Sequence, residues 1–373
     1  MVEPGTRGPG GKQGFSCMST IIDKKTFTPQ CMATGIGSLP HLRVEEAAEA
    51  IMSSLREAPF WPQLPNRSYL ENMYAQYAEQ FPGLIMDIPG KQMFVDAESP
   101  AFPEQLEAFY ARIIADDVEY FAMSKTYAPG LWEVPPLWRK ARLPVKIVKG
   151  QVTGPVSFGL TVTTADKKSI IYDQTLADVL VKHLAMKARW QEDFLQRLFP
   201  DQLVMMFFDE PYMVSFGTAF CSLSRETVVA MLDEAFSVVK GLSGVHCCGN
   251  TDWSLLLQTS VDVLNFDAYE YVDNLFLYHE DLHRFIDRGG FLAWGIVPTS
   301  EAVLRESTVS LFEQFAGQIA KLESMGFRRE AVLAQSFITP SCGCGSLPVA
   351  WTEKILRLTD ELSTMIRERY GLR

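Results

Sequence analysis

Residues 203–212 read LVMMFFDEPY, six apolar residues followed at once by Asp-Glu-Pro. A run of strand length with no polar member reads as a strand covered on both faces, as in a parallel sheet. The abrupt change to carboxylates sets polar side chains where that strand emerges. The same pattern recurs along the chain. Apolar runs at 32–37, 60–64, 145–151, 244–248, 261–266, 291–296 and 331–337 are further strand candidates. Polar or glycine-bearing turns follow most of them, among them GSLPH, TGPVS, CGN, DAYEY, VPTS and TPSCGCG. Helical patterns at 44–58, 176–199 and 224–242 lie between the runs. Eight strands with helical crossovers predict an α/β fold, a (β/α)8 TIM barrel, with an open doubly wound sheet as the alternative.

The predicted barrel occupies residues 32–373 as a single domain. Residues 64–100, after the second strand, are longer than an ordinary connection, and LIMDIPGKQMFV (84–95) predicts a hairpin around Pro89-Gly90 within an inserted flap. Residues 1–31 are expected to form a poorly ordered tail, because the first twenty are glycine-rich and lack the apolar stretch of a secretory signal.

Composition narrows the function. With 47% hydrophobic and 21% charged residues in 373, the chain can build a substantial core. A net charge of -11 argues against nucleic-acid binding, which draws its affinity from Lys and Arg on phosphates. No apolar run approaches the roughly 20 residues that span a bilayer, so no membrane partner is expected. The seven cysteines are odd in number and clustered at 247–248 and 342–344, unlike a disulfide framework. They predict a reducing, cytoplasmic setting and metal or thiol chemistry.

The stretch GVHCCGN (244–250) carries that chemistry. Alternate strand residues point to one face, so His246 and Cys248 face together and Cys247 faces away. Imidazole nitrogen and thiolate sulfur suit zinc. Glu270 follows the next strand candidate, and Cys342 and Cys344 follow the last. Two thiolates and a carboxylate make zinc electron-rich and a poor Lewis acid, which fits activation of a thiol nucleophile better than hydrolysis.

In this order the residues resemble the C-terminal catalytic barrel of the cobalamin-independent methionine synthase family, within the superfamily that includes uroporphyrinogen decarboxylase. The resemblance runs from about Met32 to the C-terminus and implies His246, Cys248, Glu270 and Cys342 as zinc ligands. TGIGSLP resembles the family's Ile-Gly-Ser, which implies Ile36 and Ser38 at the substrate carboxylate. DEP implies Asp209 at the substrate amine, and QVTGPVS resembles the family's Thr-Gly-Pro-Val loop. Asp209 and Glu270 are thus the implied catalytic groups. The resemblance covers one barrel only, and the family's large N-terminal barrel is expected to be absent. Its second amine-binding Glu finds no acid counterpart, the position falling near Arg67, and its proton-donor His is missing near Thr299. Ser215 stands near the family's pterin-contacting acid.

The expected function is zinc-dependent methyl transfer to a small thiol, homocysteine giving methionine, from a methylated corrinoid or corrinoid protein rather than a folate. The alternatives are a superfamily methyltransferase acting on a coenzyme-M-like thiol, and a zinc- or corrinoid-binding protein without turnover. Of the remaining histidines, His183, His279 and His283 read as packing or solvated helix residues, and His41 as a minor site candidate.

Overall fold

The apolar runs become strands because both of their faces are covered. In a computed structural model, which describes Met1 and residues 24–372, the strands are β1 (Met32–Ala33), β2 (Leu84–Asp87), β3 (Gln92–Val95), β4 (Ile147–Thr153), β5 (Thr163–Thr164), β6 (Leu203–Asp209), β7 (Leu242–Cys247), β8 (Val263–Phe266), β9 (Phe291–Val297) and β10 (Ser336–Pro340). Seven form one parallel sheet in the order β1-β10-β9-β8-β7-β6-β4. On β6, Val204, Met206 and Phe208 pack outward into the main core beneath the helices. Phe208 meets Phe236 of the helix Arg225–Ser237, ring centroids 5.3 Å apart. Met205 and Phe207 turn the other way, joining Leu242, Val263, Phe291 and Phe337 in a second cluster that the curled sheet encloses. Burying such a side chain contributes about 1.5–3 kcal/mol. Two-sided burial therefore accounts for the unbroken apolar run.

The candidate strand at 60–64 does not join the sheet as a ladder. It makes isolated parallel bridges only, Phe60 with Lys149 and Ser38 with Gln63. Residues 57–63 nevertheless bond to both sheet edges. Ile147 and Lys149 donate to the carbonyls of Glu57 and Pro59 at 3.1 and 2.9 Å, while Gln63 donates to Gly37 at 3.0 Å. Pro59, Pro62 and Pro65 offer no N–H, so a continuous ladder cannot form here. A second correction concerns 331–337. Residues Arg329–Ala334 are helical and the strand is Ser336–Pro340.

The expected hairpin is present, β2 pairing antiparallel with β3 from Leu84↔Val95 to Asp87↔Gln92, and β3 pairing parallel with β5. Of the tail expected over 1–31, residues 2–23 lie outside the described residues. Phe27 packs against Phe291 and Phe337, and Cys31 is buried. Among the described residues no helix is long and apolar enough to cross a membrane.

Candidate metal centre

Inside the curled sheet, polarity changes with height. The enclosed apolar cluster occupies the end where the strands begin. Lys149, Gln151, Thr153, Asp209, His246, Asn265 and Thr339 are buried nearer the end where they finish. Register explains the grouping, since Thr153 pairs with Asp209, Asp209 with His246, and His246 with Asn265. Side chains at one level of neighbouring parallel strands share a face.

His246, Cys248 and Cys342 converge, their ligand atoms all within 4.8 Å of one another. Cys247 points away, buried in the outer core. The loop after β10 reaches the first strand end because Gly343 has no side chain; a Cβ there would overlap Ser38 Oγ. The Cys344 N–H donates to the Ser38 carbonyl at 2.8 Å and locks the two loops together.

The imidazole is oriented from behind. Asn265 Nδ2 donates to the Ala293 carbonyl at 2.9 Å and to Thr339 Oγ1 at 2.8 Å, which fixes the amide and turns its Oδ1 toward His246. His246 Nδ1 donates to that oxygen. The other ring nitrogen is thereby left for the thiols. Burial opposes the imidazolium, yet Cys248 and Asp209 together raise the His246 pKa. Cys248 is held far below an ordinary thiol, chiefly by a hydrogen bond from Cys342 and then by one from His246. Cys342 moves upward by the same bond and by burial.

These three side chains open onto a cavity of about 320 Å³, whose walls include Ile36, Ser38, Asp209 and Glu71. Asp209 is buried with Oδ1 unpartnered. Burial raises its pKa, with Lys149 and His246 pulling the other way. Beneath it, Lys149 donates to the Ile36 carbonyl and lies 4.5 Å from the Phe207 ring centroid. Burial lowers the Lys149 pKa to about 8, against the pull of Asp209.

Glu270 is exposed and stands outside the cluster; its N–H donates to Asp267 Oδ1 at 2.9 Å. Asp267 is buried at the end of β8, and burial raises its pKa to about 6. Thr299 bonds to Ser341, whose neighbour is Cys342, at 3.1 Å through its N–H.

Sequence reasoning missed three groups. Glu71 is an acid in the cavity wall, four residues beyond Arg67. Its side chain is fully buried, Oε1 accepts from Arg67 Nη1 at 2.7 Å, and Oε2 has no partner. The four-residue spacing of Arg67 and Glu71 was its only trace in the sequence. Lys149 and Asn265 left no trace beyond being polar residues inside apolar runs. Glu210, by contrast, is structural. It accepts from Val156 N, Ser157 N and Ser157 Oγ at 2.9, 2.7 and 2.6 Å, and Gly154 gives it room, since a Cβ would overlap the carboxylate.

The donor set fits zinc. One imidazole and two thiol sulfurs on two rigid strand ends supply three ligands, and a catalytic zinc keeps a fourth position for water or substrate.

No family model matches the chain, and no curated protein does. Among solved structures it is similar to a B12-independent methionine synthase from Shewanella sp. W3-18-1 in complex with selenomethionine, at 14% identity and a TM-score of 0.40. That similarity covers 64% of this chain and 66% of the other, just under two thirds of the latter's length.

Proposed function

We propose that residues 32–373 are one (β/α)8 barrel, with residues 57–63 in the place of its second strand and 64–100 as an inserted flap. We propose that it transfers a methyl group to a small thiol, homocysteine, giving methionine in the reducing cytoplasm. The observation that carries this reading is the convergence of His246, Cys248 and Cys342 from two strand ends. In this reading they would hold zinc, and Glu270, exposed after β8, would supply the carboxylate of the ligand set. Zinc, when bound, keeps the substrate sulfur deprotonated at neutral pH while leaving it nucleophilic.

The chain's own residues position the substrate. The unpartnered oxygens of Asp209 and Glu71 line the same cavity and receive the ammonium group. Ser38 and the backbone at Ile36 receive the carboxylate. The thiolate sulfur attacks the methyl carbon in line. A carbon–sulfur bond forms as the bond from carbon to the donor atom breaks, and that electron pair leaves with the donor. A methylated corrinoid is the proposed donor. A coenzyme-M-like thiol fits less well, because Arg67, the cation beside the cavity, is already paired with Glu71.

The test is metal content together with turnover. About one zinc per chain is expected, falling to near zero in Cys248→Ser and Cys342→Ser, with zinc-dependent methyl transfer from methylcobalamin to homocysteine. Zinc-loaded protein that demethylates nothing in the presence of homocysteine refutes the reading.

A further inference from the structure

A second cavity, of about 460 Å³, lies beside the first. The two share Asn72, and the segment 69–77 is the partition between them. Glu71 and Met73 line the metal side, whereas Tyr69 and Tyr74 line the other. The partition is pinned from within the sheet, where Thr153 Oγ1 donates to the Met73 carbonyl, and from within itself, where Tyr74 N–H donates to Asn72 Oδ1 at 3.0 Å.

The far walls of this second cavity are the hairpin tip and the turn after β5. Lys91 and Lys167 line it, together with Thr163 and the Phe94 ring, and no acidic side chain does so among the described residues. That is unexpected in a chain of net charge -11. Both lysines hold left-handed backbone, φ 51° and 65°, where glycine would sit without strain. Two cations bordering one cavity repel each other, and a bound anion relieves that repulsion. Tyr74 stands at the junction. Burial raises the pKa of its hydroxyl to about 12, and Cys248 on the metal side adds to that rise.

We propose that this cavity is a second small-molecule site, which seats the anionic, phosphate- or carboxylate-bearing part of the methyl donor across the partition from the thiol. Lys91 and Lys167 bind the anion, and Tyr69, Tyr74 and Phe94 face its apolar part. The assignment to the donor rests on the methyl-transfer reading above; the anion site does not.

Calorimetric titration of the full chain with sodium pyrophosphate, and separately with glutarate, tests the site and separates phosphate from carboxylate. At least one probe is expected to bind, about tenfold or more weakly in Lys91→Ala/Lys167→Ala, since each lysine charge contributes to holding the anion. Binding is expected to be unchanged in Cys248→Ser, which separates this site from the metal centre. No binding of either probe at 10 mM (roughly the weakest useful affinity), or equal binding by the double variant, overturns the site. In turnover with methylcobalamin, the double variant is expected to raise the donor KM about tenfold and leave the thiol KM alone. An unchanged donor KM overturns the donor assignment. Absence of turnover in the unaltered chain counts instead against the function proposed above, and the titration alone then decides the anion site.

Discussion

His246 donates a hydrogen bond from Nδ1–H to the Asn265 side-chain oxygen one strand away, and this bond decides which ring nitrogen meets the two cysteines. Asn265 touches no thiol itself. Asn265→Ala frees the imidazole to rotate and to change tautomer, and partners of this kind are worth about 10–100-fold in metal affinity. Competition against a chromophoric chelator should show that loss with folding intact. Unaltered zinc affinity would mean that packing alone orients the ring.

For the zinc site proposed above, two carboxylates compete for the fourth position. If Glu270 swings inward, Glu270→Ala loses zinc affinity while Asp267→Asn keeps it. The reverse result assigns the position to Asp267, which is already buried near His246. Equilibrium dialysis of both variants decides the matter.

Glu71 should be felt only by ligands that carry an amine. Glu71→Gln is expected to weaken homocysteine binding about tenfold or more, as loss of a charged partner does. It should leave 4-mercaptobutyrate, which has no amine, unaffected. Equal losses for both thiols would make Glu71 a purely structural partner of Arg67.

Lys149 poses a trade between stability and binding. Its folded pKa is lowered to about 8 from an ordinary value of 10.5, so its charge is borne at a penalty in the fold. Between these two pH values the unfolded chain holds more protons, and stability therefore rises with pH. Lys149→Met should abolish that rise in chemical denaturation and be as stable as the parent at pH 7. It should bind amine-bearing thiols more weakly, because Asp209 has lost its countercharge.

Alkylation should separate the cysteines. Burial pushes Cys247 and Cys344 up to about 12, whereas Cys248 is held low and lines the cavity. In metal-free protein, iodoacetamide followed by mass spectrometry should modify Cys248 first and reach Cys247 and Cys344 only after unfolding. Early labelling of Cys344 would place it in the site.

The sequence carried the parts of the fold that repeat. Runs such as 203–208 and 244–248 announce themselves because packing on two faces demands unbroken apolar residues. The last strand was misplaced because AVLAQSF is short and apolar, and such runs do not distinguish helix from strand. Ala and Leu favour helix at 331–334, and the β-branched residues lie just beyond, in Ser336–Pro340. Cys342 was legible through its Cys-Gly-Cys-Gly context. Glu71 was not, since it sits in a short 3-10 turn whose burial depends on contacts far away in the chain.

The proline-bearing stretch at 57–65 meets the two edges of the parallel sheet along a seam held by a few separate stitches, whereas β4, β6 and β7 are joined by continuous ladders. A seam can breathe without undoing its neighbours, and the chain leaves it toward the β2–β3 hairpin. Amide deuteration of Leu39, Gln63 and Lys149 should outpace that of β6 and β7, marking the joint that loosens first.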